Sequence, residues 1–262
     1  MLIAQITDTH IQRSGQLAEG RVDTARLLRD CVAAVLALPA QPDLIVLTGD
    51  LVDAGNAEEY AHLRQLLAPL TQRLLLIPGN HDSRDGLRAA FPEHGYLPRE
   101  GWLQYVVEAG PLRIIGLDTL VPGASRGELC QARLDWLDKA LTAAPGQPTL
   151  ILMHHPPFLT GITAMDQIGL TGREAFTAIV ARHPQVQLIL CGHLHRNIQT
   201  LVGGHRALTC PSSAHQIALD LRPGAPLGYS LEPAGFMLHQ WTSEGFTSHV
   251  AVTGSHPGPY LY

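Results

Sequence analysis

Apolar runs dominated by Leu, Ile and Val recur along the chain: LIAQIT at 2–7, DLIVLT at 43–48, RLLLIP at 73–78, TLILMH at 149–154 and VQLILC at 186–191. A strand with one face in water alternates apolar and polar residues. These runs barely alternate, so they read as strands covered on both faces. Two further strands are expected at 103–108 and 112–117. Between the runs the period changes. Val22, Ala25, Leu28, Val32 and Val35 fall on one face of a helix over 21–38, and Leu134, Leu137 and Leu141 do the same over 130–143. Helices are also expected over 58–70, 84–91 and 172–182. Strands alternating with helices predict an α/β architecture.

After residue 196 the pattern shifts to shorter apolar segments rich in Gly and Pro, as in LRPGAPLGYSLEPAG at 221–235. This divides the chain into a core over 1–196 and C-terminal strands with cap or oligomerisation elements over 197–262, packed on that core. The tail GSHPGPYLY reads as extended, either loose or docked on a neighbour.

Composition narrows the choice of partners. Of 262 residues 45% are apolar and 16% charged, enough for a large core. A net charge of −5 without Lys/Arg clusters argues against a groove for nucleic-acid polymers. The four cysteines, Cys31, Cys130, Cys191 and Cys210, include no CxxC pair, so reduced thiols are expected. The N-terminus reads as a first strand with no basic leader, and no run reaches the roughly 18 to 20 apolar residues of a membrane span. A cytoplasmic protein without a membrane partner is the expectation.

Histidine is the outlier, with 14 copies, and its placement carries the chemistry. The five runs end in Asp8-Thr9-His10, Gly49-Asp50, Gly79-Asn80-His81-Asp82, His154-His155-Pro156-Pro157 and Gly192-His193-Leu194-His195. Ligands of open α/β sheets bind outside the carboxyl ends of the strands, so these ends can converge on one site. Each motif alone is weak; the ordered set is specific. Asp8, His10, Asp50, Asn80, His154, His193 and His195 offer imidazole and oxygen donors without thiolate, a set suited to divalent Fe, Mn, Zn or Co. If Asp50 bridges two metals, each receives four protein ligands. Two metals about 3.5–4 Å apart can share a hydroxide and clamp a phosphoryl oxygen.

In these motifs the chain resembles the calcineurin-like metallophosphoesterase superfamily, whose pattern D-x-H, G-D-x-x-D, G-N-H-D/E, H and G-H-x-H is matched from Asp8 to His195. The resemblance implies a four-layer α/β/β/α sandwich with a dinuclear metal site. It implies one metal on Asp8, His10, Asp50 and His195, and the other on Asp50, Asn80, His154 and His193. It places His81 over the substrate as general acid, opposite attack by a metal-bridged hydroxide. Asp53 is placed to orient His81. Protein phosphatases of the superfamily carry Arg where this chain has Ala54, which disfavours phosphoprotein substrates. The GNHD turn, HHPPF, RGELCQARLDWLDKAL and CPSSAHQ look like the class III cyclic-nucleotide phosphodiesterase and glycerophosphodiesterase subgroup, with His215 reaching the substrate. The expected substrate is a small phosphodiester: cAMP first, glycerophosphodiesters or a broad range as alternatives, in a homodimer or higher homo-oligomer. A non-catalytic metal scaffold and a polymer nuclease are the rival classes.

Asn80 is a neutral amide where a carboxylate would bind metal more strongly. Two carboxylates against two divalent cations leave about +2 to receive an anionic diester, and a third carboxylate would remove part of it. Elsewhere plainer readings apply. His155 is expected behind the ligands, Asp82 as a turn cap, Asp118 as packing or support, and Trp102, Trp136 and Trp241 in the core or at an interface.

Overall fold

The computed structural model describes residues 1–254, 256–258 and 260–261. The tail expectation falls partly on 255, 259 and 262, outside the described residues.

The first layer of strands forms early. β1 (Leu2–Ile6), β2 (Leu44–Leu47) and β3 (Arg73–Leu76) pair in parallel, connected by α1 (Thr24–Leu36) and α2 (Ala57–Leu67), and α3 (Arg84–Ala90) follows β3. Each helix starts at a readable cap: Asp23, Asn56 and Ser83 accept the amides of Arg26, Glu59 and Gly86. The second sheet grows from β4 (Tyr105–Ala109) and β5 (Leu112–Gly116). After the short strand β6 (Gly127–Glu128) and α4 (Gln131–Thr142), β7 (Thr149–Leu152) pairs in parallel with β5. The chain continues through α5 (Thr163–Gln167), the two-residue β8 (Leu170–Thr171), α6 (Arg173–Val180) and β9 (Val186–Cys191).

Residues beyond 196 complete both sheets. β10 (Gln199–Val202) and β11 (His205–Thr209) extend the second, giving the order β10-β11-β9-β7-β5-β4. A small ladder, β12 (Gln216–Ile217) with β13 (Tyr229–Ser230), precedes β14 (Gly235–Thr242) and β15 (Gly245–Val252). β14 runs antiparallel to β1, from Leu2 opposite Gln240 to Gln5 opposite Met237, so the first sheet reads β15-β14-β1-β2-β3.

The sheets pack face to face, with helices outside. In the second sheet Ile114, Leu150, Leu188 and Leu190 join one core with strands β1–β3 and helices α1 and α2. Their neighbours Ile115, Ile151 and Ile189 point the other way, against Leu134, Leu137 and Phe176 of α4 and α6. The result is the four-layer α/β/β/α sandwich, and it explains why the strands lack alternation: both faces are dry. Each fully buried Leu or Ile contributes about 1.5–3 kcal/mol.

One ion pair ties the layers together. Arg84, at the start of α3, meets the fully buried Asp118 just beyond β5 through Nε at 2.6 Å and Nη2 at 2.8 Å. The same carboxylate accepts the amides of Leu103 and Leu120 at 2.8 and 3.0 Å. Asp118 therefore packs the two halves together and does not stand behind the strand-end cluster. Asp118→Ala would strand a half-buried guanidinium and two buried amides. We expect it to lower stability by about 3 kcal/mol, read as a shift of the urea midpoint at unchanged slope.

Candidate metal centre

The strand ends expose their polar residues through an unusual backbone. Among the described residues six non-glycine residues have positive φ: Asp8 (50°), His10 (43°), Asp50 (49°), His193 (70°), His195 (52°) and Glu19 (52°). Left-handed backbone costs an L-residue roughly 1–2 kcal/mol. Five of these six are strand-end residues of the motifs, and the turn lets each side chain fold back over the edge of its sheet. Glycines make the close approach possible. A Cβ on Gly49 would stand 2.5 Å from His154 Nδ1, and one on Gly192 would stand 2.7 Å from the Thr48 carbonyl. A Cβ on Gly79 would collide with the Asp50 amide and carboxylate.

All seven strand-end residues come together. His10 Nε2 lies 3.2 Å from His195 Nε2. His195 Nε2 lies 3.4 Å from Asp8 Oδ1, and His154 Nε2 lies 3.3 Å from Asp50 Oδ2 and 3.2 Å from Asn80 Oδ1. Asp50 Oδ2 faces both groups, reaching His10 Nε2 at 3.9 Å, while its Oδ1 accepts the His81 amide at 2.8 Å. Donor atoms of Asp8, His10 and His195 lie within 4.8 Å of one another, as do those of Asp8, Asp50 and His154.

The partners of the other ring nitrogens fix which atom faces inward. His154 Nδ1 donates to the Thr48 carbonyl at 2.8 Å and His195 Nδ1 to the His215 carbonyl at 2.7 Å. His10 Nδ1 meets the Asp53 carboxylate at 3.3 Å. With Nδ1 carrying a proton, Nε2 is the atom that faces the cluster in all three, and it offers a lone pair whenever the imidazole is neutral. His193 Nε2 is buried with no hydrogen-bond partner among the described residues, and its amide donates to both Asp8 oxygens at 3.1 Å. Lone pairs aimed at one another and at two buried carboxylates repel unless a cation sits among them. The donor set therefore fits divalent metal.

Titration follows the same logic. Burial disfavours ionised Asp8 and Asp50, yet His195 beside Asp8 and His154 beside Asp50 hold both carboxyls below their ordinary values. Burial alone would lower His154; the Asp50 carboxylate instead raises it to about 9. His193 is pushed far down by burial and by His155 and His154 beside it.

His81 sits at the edge of this cluster, its side chain 39% exposed. Its Nδ1 donates to the Asp53 backbone carbonyl at 2.7 Å, while the Asp53 carboxylate is 3.8 Å away. The sequence pattern points the Asp53 carboxylate at His81. In the structure it faces His10 instead and is held there by Gln12 Nε2 at 2.7 Å, so the backbone carbonyl orients His81. Burial opposes charge on His81, but Asp50 and the Asp53 carbonyl raise its pKa. His215 packs 4.8 Å from the His195 ring and 5.1 Å from Tyr229. Burial, with His195 and His10 nearby, lowers it to about 3.

Three residues support the cluster from behind. Asp82 accepts the amides of Leu51 and Gly79 and the Tyr60 hydroxyl, pinning two ligand loops to α2. Burial and the Asp50 charge push its carboxyl up to about 6. His155 lies close enough to His154 and His193 to share a metal with them, but both of its nitrogens are engaged, by Thr119 Oγ1 at 2.8 Å and the Ser125 carbonyl at 3.1 Å. Thr7 Oγ1 donates to Asp8 at 2.7 Å. None of these partners has a sequence signal beyond adjacency to a motif.

A cleft of about 450 Å³ opens onto the cluster, with His10, Asp50, Asn80, His81, His193 and His195 on its floor. Met165, Ile168, Ile217, Leu227 and Tyr229 form an apolar wall that the strand-end motifs do not announce. A larger cavity of about 640 Å³ lies beside Arg64, Phe91 and Tyr96. The metal-donor groups lie elsewhere, and the chemistry belongs to the smaller cleft.

Comparison with known proteins agrees with this geometry. A family model described as calcineurin-like phosphoesterase matches residues 1–197. The chain is 39% identical over 264 residues to "Probable glycerophosphodiester phosphodiesterase GpdQ" of Arcobacter nitrofigilis, a match covering 100% of this chain and 97% of that protein. It is 32% identical over 214 residues to the "3',5'-cyclic adenosine monophosphate phosphodiesterase CpdA" of Escherichia coli K12, covering 82% of this chain and 76% of that one. A dimetal phosphatase from Danio rerio shares the fold at a TM-score of 0.63 with 16% identity, covering 97% of this chain and 99% of that one.

Gly49 combines a φ of 94° with a close approach to a candidate ligand, 2.5 Å from an added Cβ to His154 Nδ1. We expect Gly49→Ala to destabilise the protein by about 3 kcal/mol or more and to reduce bound metal per chain, measured by thermal unfolding and elemental analysis.

Proposed function

The chain belongs to the calcineurin-like phosphoesterase family, a metal-dependent phosphodiester hydrolase on a divalent metal centre, and from that premise we propose that it cleaves small diesters at a pair of metals. The observation that carries this reading is the convergence of imidazole lone pairs on shared carboxylates, His10 and His195 facing each other at 3.2 Å. Asp8, His10, Asp50 and His195 would hold one ion; Asp50, Asn80, His154 and His193 would hold the other. Asp50, whose Oδ2 faces both histidine groups, would contribute to both ions. When bound, such a pair activates water and neutralises charge developing on phosphoryl oxygens.

The remaining residues handle orientation and the proton. His81 Nδ1 is committed to the Asp53 carbonyl, which leaves Nε2 to protonate the leaving alkoxide. Asp53 acts as a positioning residue twice, through its carboxylate on His10 and its carbonyl on His81. His215 lines the cleft and stays neutral, so it binds substrate by hydrogen bonding without adding charge. No Lys or Arg lines the cleft among the described residues, which suits a singly charged diester better than a dianionic monoester.

For the substrate we place glycerophosphodiesters ahead of cAMP. The GpdQ-named relative matches the whole chain, including the segments that build the apolar wall and close the first sheet. The CpdA-named relative favours the cyclic nucleotide over a shorter alignment, and this keeps cAMP as the second reading.

Steady-state rates on glycerophosphocholine, cAMP, bis(p-nitrophenyl) phosphate and a phosphomonoester, with Mn²⁺, Co²⁺, Zn²⁺ and Fe²⁺, test the reaction. Diester hydrolysis abolished by chelation and restored by metal is expected; a strong monoester preference would sink the proposal. His81→Ala should slow diesters of poor leaving groups by about 10²–10⁴ at unchanged metal content, and p-nitrophenyl diesters much less. Equal activity of the variant and the parent on poor leaving groups would remove His81 from the proton transfer.

A further inference from the structure

Glu19 is the one left-handed non-glycine residue, among those described, outside the strand-end motifs. It lies in a tight turn closed by the Arg21 amide on the Ala18 carbonyl at 3.0 Å, within the Ala18–Val22 bridge. Glu19 (φ 52°) and Gly20 (φ 66°) occupy its two central positions, a geometry that favours Asn, Asp or Gly at the first. Glutamate there gives nothing to the fold, since its exposed side chain makes no hydrogen bond or ion pair among the described residues. What the position does is make Glu19, an acidic residue, part of the lining of the metal cleft.

The surroundings define what that carboxylate can select. The other acidic residues lining the cleft, Asp50 and Asp53, are already engaged with histidines. Tyr229 supplies an aromatic face, and the rest of that wall is aliphatic. Among the described residues no Lys or Arg lines the cleft, so an arm bearing a further anion would find neither to balance its charge and would meet the negative charge of Glu19. An ammonium or quaternary ammonium would find opposite charge and a π face in the same cleft.

We propose that Glu19, with Tyr229, is a specificity-determining residue that favours diesters whose alcohol arm is cationic. This rests on the phosphodiesterase reading of the site. Glycerophosphocholine serves as the cationic probe and glycerophosphoglycerol as the neutral one, compared as a ratio of kcat/KM within each preparation. The ratio does not depend on the active fraction, so a variant that folds or loads metal poorly is still informative. We expect the ratio to fall about threefold in Glu19→Gln and about tenfold in Glu19→Lys, to fall in Tyr229→Leu, and to decline for the parent as ionic strength rises. A ratio indifferent to residue 19 in both variants overturns this inference alone. A parent protein that cleaves neither diester overturns the phosphodiesterase reading, and the inference falls with it.

Discussion

Everything around the site depends on one electrostatic arrangement: imidazole nitrogens and carboxylates aimed at one another with no proton to spare between most of them. His10 Nε2 and His195 Nε2 stand 3.2 Å apart, each with its other nitrogen tied to an acceptor. Such a set gains little from protein alone. It is held by backbone turns that cost energy, at Asp8, His10, Asp50, His193 and His195, and by glycines too tightly packed to carry a side chain. The two-sheet core supplies the surplus. Dry on both faces, it can offset several kcal/mol of local strain, the usual relation between a stable scaffold and a strained site.

The outer hydrogen bonds divide the work. Carbonyls of Thr48 and His215 select the tautomers of His154 and His195, and Asp53 does so for His10. Asp82 joins the loops after β2 and β3, so Asp50 and Asn80 move as one body. The two ends of Asp50 are likewise separated, one oxygen for the His81 amide and the other facing His154 and His10. A single side chain thus links the His81 backbone to the histidine cluster.

Much of this was legible in the sequence because the polar residues directly follow apolar runs. A run ends, the strand ends, and the next side chain must lie at the sheet edge. The seven strand-end residues follow from that local rule; the helices follow from their apolar period, and the four-layer class comes with the family resemblance of the motifs. What escaped was non-local or orientational. Whether Asp53 turns its carboxylate to His10 or to His81 is a matter of about half an ångström, and no spacing encodes it. The pairing of Asp118 with Arg84 spans 34 residues. The wall of Met165, Ile217 and Tyr229 joins segments that are short and Gly- or Pro-flanked, where periodicity gives no signal. The partner of β1 was hidden for the same reason: strand order is a property of the whole chain.

That partner has a kinetic meaning. β1 lies between β2 and β14, and the Met1 amino group donates to the Trp241 carbonyl, 240 residues away in sequence. During synthesis one edge of β1 stays open until β14 leaves the ribosome, a long-range closure of the kind that slows folding. Asp8 and His10 hang from that strand. The half-formed first sheet is thus an unprotected edge carrying metal donors, and the last hairpin is what ends the exposure.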